Sequence, residues 1–237
     1  MEVEKKVSII LPTYNEVDSV SDLIDVILLV VEKNRIPTEI IVIDDNSGDG
    51  TAAVVQGKSE INPAVKCIVR ENERGLASAI KRGIMEATGD VIMIMDTDFN
   101  HDPLKIPEFI NLLSYYQIVS GSRYVWGGGM LGPKWRYWGS YLFNVLIRSF
   151  LRMATKDNLS GFVAFDKSIL GRMNLDEVFS GYGEYYIRFL WIAKKNNLSL
   201  IEIPVIYKMR EGGKSKTNFF KYLLIYFATV LELRVKR

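Results

Sequence analysis

Residues 93–102 read MIMDTDFNHD, three apolar positions followed by Asp96, Asp98 and Asp102 within seven residues. Carboxylates that close a buried run must be solvated, paired with a cation or bound to a metal. The run itself is one of a series. VSIILP (7–12), EIIVIDD (39–45), VKCIVRE (65–71), DVIMIMD (90–96) and QIVSGSR (117–123) are short, β-rich apolar stretches. Near-continuous apolar strands are what a parallel sheet covered on both faces requires. Helical patterns separate them, over 17–34, after Asp49, over 75–87 and over 103–116, the last with proline in its first turn. The alternation predicts an α/β domain with a mostly parallel sheet flanked by helices.

The second half is less regular. A long amphipathic pattern covers 137–153, SGFVAFD (160–166) reads as a strand, 182–197 as a helix and LIEIPVIY (200–207) as one strand. No repeat or Gly/Ser linker divides the chain, so we read one domain over 1–217, with an amphipathic helix over 218–237 as part of it. That last segment has an apolar core of ten residues, Tyr222 to Leu231, where a spanning helix needs about 20. Its basic flank of Arg234, Lys236 and Arg237, like Arg148 and Arg152 in the earlier helix, suits helices lying at an interface. Trp126, Trp135 and Trp138 read either as lid packing or as a lipid-facing surface.

Charge is split along the chain. Residues 1–122 carry 20 Asp+Glu against 11 Lys+Arg, whereas residues 123–237 carry 8 against 19. A basic half points to anions such as phosphates or an acidic membrane surface. Nucleic acid is disfavoured, because no recognition motif is present and the acidic half would be repelled. The single cysteine, Cys67, excludes an internal disulfide and reads as a small buried strand residue, which suits a reducing cytoplasmic setting. The N-terminal MEVEKK lacks the basic-then-apolar pattern of a secretion signal.

Open α/β sheets bind ligands at the carboxyl ends of their strands, and three such ends here are polar: PTYNE (12–16), DDNSGDGT (44–51) and DTDFN (96–100). Asp49, Gly50 and Thr51 read as a turn and helix cap. Asp96 and Asp98 are two apart and point to one side of an extended segment, with Asn100 next in the row. Two carboxylates and an amide oxygen suit Mg²⁺ or Mn²⁺ shared with substrate phosphates. The one histidine, His101, reads as a surface or helix-start residue and is badly placed for a Ser–His–Asp set. RGLASAIKRG (74–83) lacks a phosphate-loop lysine and reads as sheet support.

PTYNE, VIDDNSGDGT, the Asp-x-Asp strand end, SGSRY (120–124) and REGGKSK (210–216) stand in this order over most of the chain. In this the sequence resembles the dolichyl-phosphate mannosyltransferases, inverting family 2 glycosyltransferases of GT-A fold. The resemblance implies that Pro12, Tyr14, Glu16, Ile43 and Asp45 hold the nucleoside of a nucleotide sugar. Asp96, Thr97 and Asp98 would meet the sugar and diphosphate, with Asp96, Asp98 and Asn100 around the metal. Arg123 and Arg136 would bind the acceptor phosphate, while Arg210, Ser215 and Lys216 would close over the donor from a glycine-containing loop. The chain departs from the family at Asn100, where glutamine is frequent, at Val163, where many relatives have arginine, and at Ile187, where glutamate is frequent. Glu184, one helical turn earlier, could replace that glutamate.

The implied reaction moves mannose from GDP-mannose to dolichyl or another polyprenyl phosphate with inversion. Catalysis would be mainly electrostatic, with Asp98, Arg123 and Arg136 as the residues closest to the chemistry. The expected setting is peripheral, on the cytoplasmic face of a membrane, with or without a membrane-embedded partner subunit. Two rivals stand beside it: a polyprenyl-phosphate transferase using UDP-glucose or UDP-N-acetylglucosamine, and a non-catalytic nucleotide-sugar-binding partner.

Overall fold

The computed structural model describes residues 5–208 and 219–236. Its first half alternates β1 (Val7–Thr13), α1 (Val17–Lys33), β2 (Thr38–Asp44), α2 (Thr51–Ile61), β3 (Val65–Val69), α3 (Leu76–Glu86) and β4 (Val91–Ile94). Then come α4 (Ile106–Leu112), β5 (Ile118–Ser122), β6 (Gly129–Met130), α5 (Lys134–Leu151), β7 (Val163–Asp166) and the short α6 (Leu175–Val178). The chain closes with α7 (Tyr185–Lys195), β8 (Leu200–Pro204), β9 (Ile206–Tyr207) and α8 (Phe219–Val235).

Seven strands form one sheet in the order β3-β2-β1-β4-β7-β5-β8, and β6 pairs with β9 in a separate ribbon. All neighbours in the large sheet run parallel except β7, which is antiparallel to both β4 and β5. Both faces are covered, as the apolar strands require. Val7, Ile9 and Leu11 of β1 pack with Val20, Leu23, Ile24 and Ile27 of α1. Ile10 faces the other way, toward a core built with residues of α3, α5, α7 and α8. A Cβ at Gly83 would lie 2.5 Å from Cγ2 of Ile10, so α3 rests directly on β1. Any larger residue there forces a shift costing about 1–3 kcal/mol.

Three expectations are adjusted. The 200–207 run is two strands rather than one. Pro204 has no N–H to extend a ladder, and past it Val205 and Tyr207 accept hydrogen bonds from Gly129 and Leu131, so the chain leaves β5 for β6. The pattern at 103–116 yields a 3-10 turn and then the short α4, with Pro107 near the junction. Cys67 is half-buried rather than buried, because β3 is the edge strand.

The register of β7 shapes the functional edge. Val163 lies opposite both Ile94 of β4 and Ser120 of β5. Residues 95–101, which follow β4, therefore run beside residues 160–162, which precede β7, and beside the end of β5. α8 packs on α5 and α7, burying Thr229, Val230 and Leu233 while Leu224, Leu231 and Val235 stay exposed. No helix among the described residues is long and apolar enough to cross a membrane.

Candidate active site

The ends of β1 and β2 are tied together by buried polar contacts. Asp44 is fully buried and accepts from Thr13 Oγ1 at 3.0 Å, the Ser47 amide at 2.8 Å and Ser47 Oγ at 2.6 Å. Asn15, in the left-handed region at φ 54°, donates its amide to Ser47 Oγ and accepts from the Gly48 amide. The Glu16 amide donates to Thr51 Oγ1 at the start of α1. Asp45 lies just past β2, where Arg70 Nε donates to it at 2.8 Å, a second Arg70 nitrogen also bonds it, and the Gly75 amide donates at 2.8 Å. Arg70 in turn reaches Ser78 Oγ at 2.9 Å and the Gly75 carbonyl at 3.0 Å. Gly75 has φ 140°, a conformation that a side chain would strain. Next to it, the Arg74 guanidinium lies 4.3 Å over the ring of Tyr14, which is partly exposed.

At the end of β4 the side chain of Asp96 is half-exposed, and Thr97 is buried. Asp98 accepts from the Asn100 amide at 3.2 Å and from the Asn100 side-chain nitrogen at 2.8 Å. Asn100 thus braces Asp98 as a donor. Among the described residues no three acidic, histidine or cysteine side chains are placed together so as to hold a metal ion. Two carboxylates two positions apart still fit Mg²⁺ or Mn²⁺, which keep waters and take one or two carboxylates plus substrate phosphates.

The other wall is basic and mostly buried. Arg123 follows β5, and its Nε and a terminal nitrogen grip Asp157 at 2.7 and 2.8 Å, while its amide adds a third bond at 3.0 Å. Burial opposes the guanidinium charge, but the Asp157 carboxylate more than offsets this and raises its pKa above the ordinary value. Asp157 is itself placed by Glu202 of β8, whose carboxylate accepts the amides of Lys156 and Asp157 at 2.6 and 2.8 Å. Arg136 is exposed in the first turn of α5. Tyr124, next to Arg123, contacts Tyr137 and Tyr141 of α5 at ring distances of 5.3 and 5.4 Å, which ties the two arginines' elements together.

A family model described as glycosyl transferase family 2 matches residues 8–179. This chain belongs to glycosyl transferase family 2. It is similar to the dolichol-phosphate mannosyltransferase of Pyrococcus furiosus, 33% identical over 92% of this chain and 62% of that protein. The chain thus spans under two-thirds of that relative's length. The dolichol-phosphate mannosyltransferase of Saccharomyces cerevisiae is 29% identical over 96% of this chain and 86% of its own. An undecaprenyl-phosphate mannosyltransferase of Micrococcus luteus is 29% identical over 90% and 88%. Among solved structures, glucosyl-3-phosphoglycerate synthase from Mycobacterium tuberculosis, in complex with Mn²⁺, uridine diphosphate and phosphoglyceric acid, superposes with a TM-score of 0.74. At 19% identity, over 97% of this chain and 78% of that one, this likeness speaks to fold alone. The fold is GT-A-like, with its mixed sheet flanked by helices.

In this glycosyltransferase, Pro12, Tyr14, Glu16, Asp45, Asp96, Thr97, Asp98 and Arg123 stand at or just past the carboxyl ends of β1, β2, β4 and β5. Ile43 is fully buried in the core, offering this edge no exposed side chain. Arg210, Ser215 and Lys216 lie outside the described residues. Ile187 is also core, and Glu184, one turn earlier, is buried with Oε2 lacking a hydrogen-bond partner among the described residues.

His101 requires a correction: it is fully buried, not a surface residue. β4 has ended, and the Asp96 amide finds its acceptor in His101 Nδ1 at 2.8 Å. Sequence reasoning also passed over Arg70, Arg74, Asp157, Tyr207 and Glu202. Arg70 and Arg74 sit in a glycine-containing loop whose helix-opening pattern was visible. The KDNLSG stretch (156–161) around Asp157 carries only turn chemistry and gives no such signal.

Proposed function

We propose that this glycosyltransferase moves a mannosyl group from GDP-mannose to a polyprenyl phosphate of the dolichyl type, with inversion at the sugar. The observation that carries the reading is the meeting, at one sheet edge, of an acidic strand end with a buried arginine held by its own carboxylate. The sequence relatives act on lipid phosphates by name, which supports the same acceptor class.

Tyr14 and Arg74 offer a flat cationic surface to a base, and Asp45 offers an acceptor for base or ribose donors. Asp96 and Asp98 would hold Mg²⁺ or Mn²⁺, which when bound offsets negative charge on the leaving diphosphate. Arg123, kept charged by Asp157, and Arg136 orient the acceptor phosphate. That phosphate is already anionic near neutral pH, so the residues contribute orientation and charge rather than proton abstraction.

A bilayer-held acceptor requires the edge to approach a membrane. Trp126 is 98% exposed, and Trp135, Trp138 and Leu142 of α5 are also exposed, which supports a peripheral position at a membrane surface; we place that surface on the cytoplasmic leaflet. Basic residues near an anionic surface would add about 1 kcal/mol each, fading with salt. A membrane-embedded partner subunit would meet the same aromatic face.

The test is a transfer assay with radiolabelled GDP-mannose, UDP-glucose and UDP-N-acetylglucosamine. It uses short polyprenyl phosphates in anionic vesicles, with and without divalent metal. Metal-dependent transfer from GDP-mannose alone is the expected result. Transfer from a UDP-sugar instead would replace the donor, and donor binding without transfer to any acceptor would make the protein a binding partner.

A further inference from the structure

His101 is joined to both walls of the site, and the transfer mechanism above gives it no task. Its Nδ1 accepts from the Asp96 amide at 2.8 Å, so Nε2 carries the ring hydrogen. Nε2 lies 2.8 Å from the hydroxyl of Tyr207 on β9. That hydroxyl donates to the Ser160 carbonyl at 2.7 Å, which leaves its oxygen free to accept from Nε2. Ser160 Oγ, 3.0 Å away, completes its coordination. The imidazole stacks on Phe162 with ring centroids 4.6 Å apart and planes 7° from parallel, so it is not free to turn. On the far side, the Arg123 guanidinium lies 4.7 Å over the Tyr207 ring.

These contacts make a continuous line from Asp96 through His101 and Tyr207 to Arg123. His101 is wholly buried, and Tyr207 and Arg123 are nearly so. Water therefore has little access to replace a broken link. The line connects three separate elements, the end of β4, β9 and the end of β5, which share no direct ladder.

We propose that His101 is a positioning residue for group transfer, setting the spacing between the Asp96 carboxylate and the Arg123 guanidinium through its bond to Tyr207. The inference rests on the functional reading above, in which Asp96 serves the donor diphosphate and Arg123 the acceptor phosphate. Group transfer needs the nucleophile and the sugar carbon held in line at near-contact distance. A misplacement of about 1 Å can cost up to 10²-fold in rate. A histidine that merely filled the core would affect folded population, not this spacing.

Two substitutions cut the same link from opposite ends. His101→Asn retains an acceptor near the Nδ1 position for the Asp96 amide but does not reach Tyr207. Tyr207→Phe keeps the ring under Arg123 and removes only the hydroxyl. Both proteins, and the double variant, are compared with the unsubstituted chain by thermal unfolding, donor calorimetry and steady-state transfer. Each single variant is expected to lose about tenfold in kcat, with KM values and donor affinity within about twofold. The double variant should be no slower than the slower single one.

Unchanged kcat in Tyr207→Phe would overturn the proposal, and so would losses that multiply in the double variant or that track the folded fraction. Should His101→Asn fail to fold, Tyr207→Phe alone decides. Turnover by the unsubstituted chain in the same assay separates the two: a silent parent protein refutes the functional reading and with it the transfer role given to His101, whereas an active parent with unchanged variants refutes the link alone.

Discussion

Two buried acid–arginine pairs flank the site, and they are assembled with opposite polarity. On the donor side, Asp45 is the proposed ligand contact and Arg70 holds it, with side chains 9% and 6% exposed. On the acceptor side, Arg123 is the proposed contact and Asp157 holds it, at 8% and 0%. The first pair joins the ends of neighbouring parallel strands, β2 and β3. The second reaches from β5 to the loop before β7, with Glu202 of β8 fixing the carboxylate by its backbone. Each pair buries its charges together, which avoids the several kcal/mol that an isolated buried ion costs. The partner left nearer the ligand sets the sign of the wall, so on the proposed reading one edge would offer a carboxylate to the nucleoside and, beside it, a guanidinium to the acceptor phosphate.

The largest expected effect tests whether the acidic wall serves ligands rather than the fold. Asp98→Ala should lower metal-dependent transfer by about 10²-fold or more, with an unfolding midpoint close to that of the unsubstituted chain. Full activity, or loss of fold with no metal dependence in the parent protein, would remove the cation from the acidic wall.

The acceptor wall divides next into a buried and an exposed arginine. Arg123→Ala leaves Asp157 as an unpaired buried carboxylate and should cost about 3–5 kcal/mol of stability. Arg136→Ala, on the exposed first turn of α5, should stay within about 0.5 kcal/mol. Both should impair transfer to lipid phosphate while calorimetry finds donor affinity intact. Lost donor affinity in either variant would move that arginine to the diphosphate side.

The smallest effect on transfer comes from a control at the opposite end of the strands. Glu39 is buried, which alone would raise its pKa. Hydrogen bonds from Lys66, Ser8 and Thr88 outweigh that and hold it well below the ordinary value of 4.5. A depressed carboxylate contributes stability in full above its unfolded value, and loses it as pH falls through its folded value. Glu39→Gln should therefore lower stability by about 1–3 kcal/mol at neutral pH, with the difference narrowing below about pH 4.5 and transfer per folded molecule unchanged. A deficit that widened in acid would reverse the sign assigned to Glu39.

How far the sequence could be read follows the same division. The acidic wall was legible because apolar strands of fixed period end abruptly in Asp44, Asp45, Asp96 and Asp98, and the strand ends of such a sheet share one edge. The basic wall was legible only in its arginines. Asp157 sits in a stretch indistinguishable from a turn. The antiparallel direction of β7 leaves no mark, because apolar periodicity is the same in either direction. His101 was misread because a pattern cannot reveal that the Asp96 amide lies beyond its strand's ladder and needs an acceptor. The break at Val205 was signalled by Pro204, yet the strand β9 pairs with, β6, has only two residues.

The placement of β7 also predicts an order of events in time. β5 and β8 reach the rest of the sheet only through β7, which begins 41 residues after β5 ends. The acidic half can build its βαβ units from neighbouring segments, whereas the basic half must await a distant strand, the slower kind of contact to form. Until residues 163–166 insert, β4 carries an open edge able to recruit other chains. Pulse-labelled hydrogen exchange during refolding should find the amides of β1 and β2 protected before those of β5 and β8, and simultaneous protection would mean the two halves condense together. During synthesis β1 to β4 therefore leave the ribosome before β7, the strand through which β5 and β8 join them.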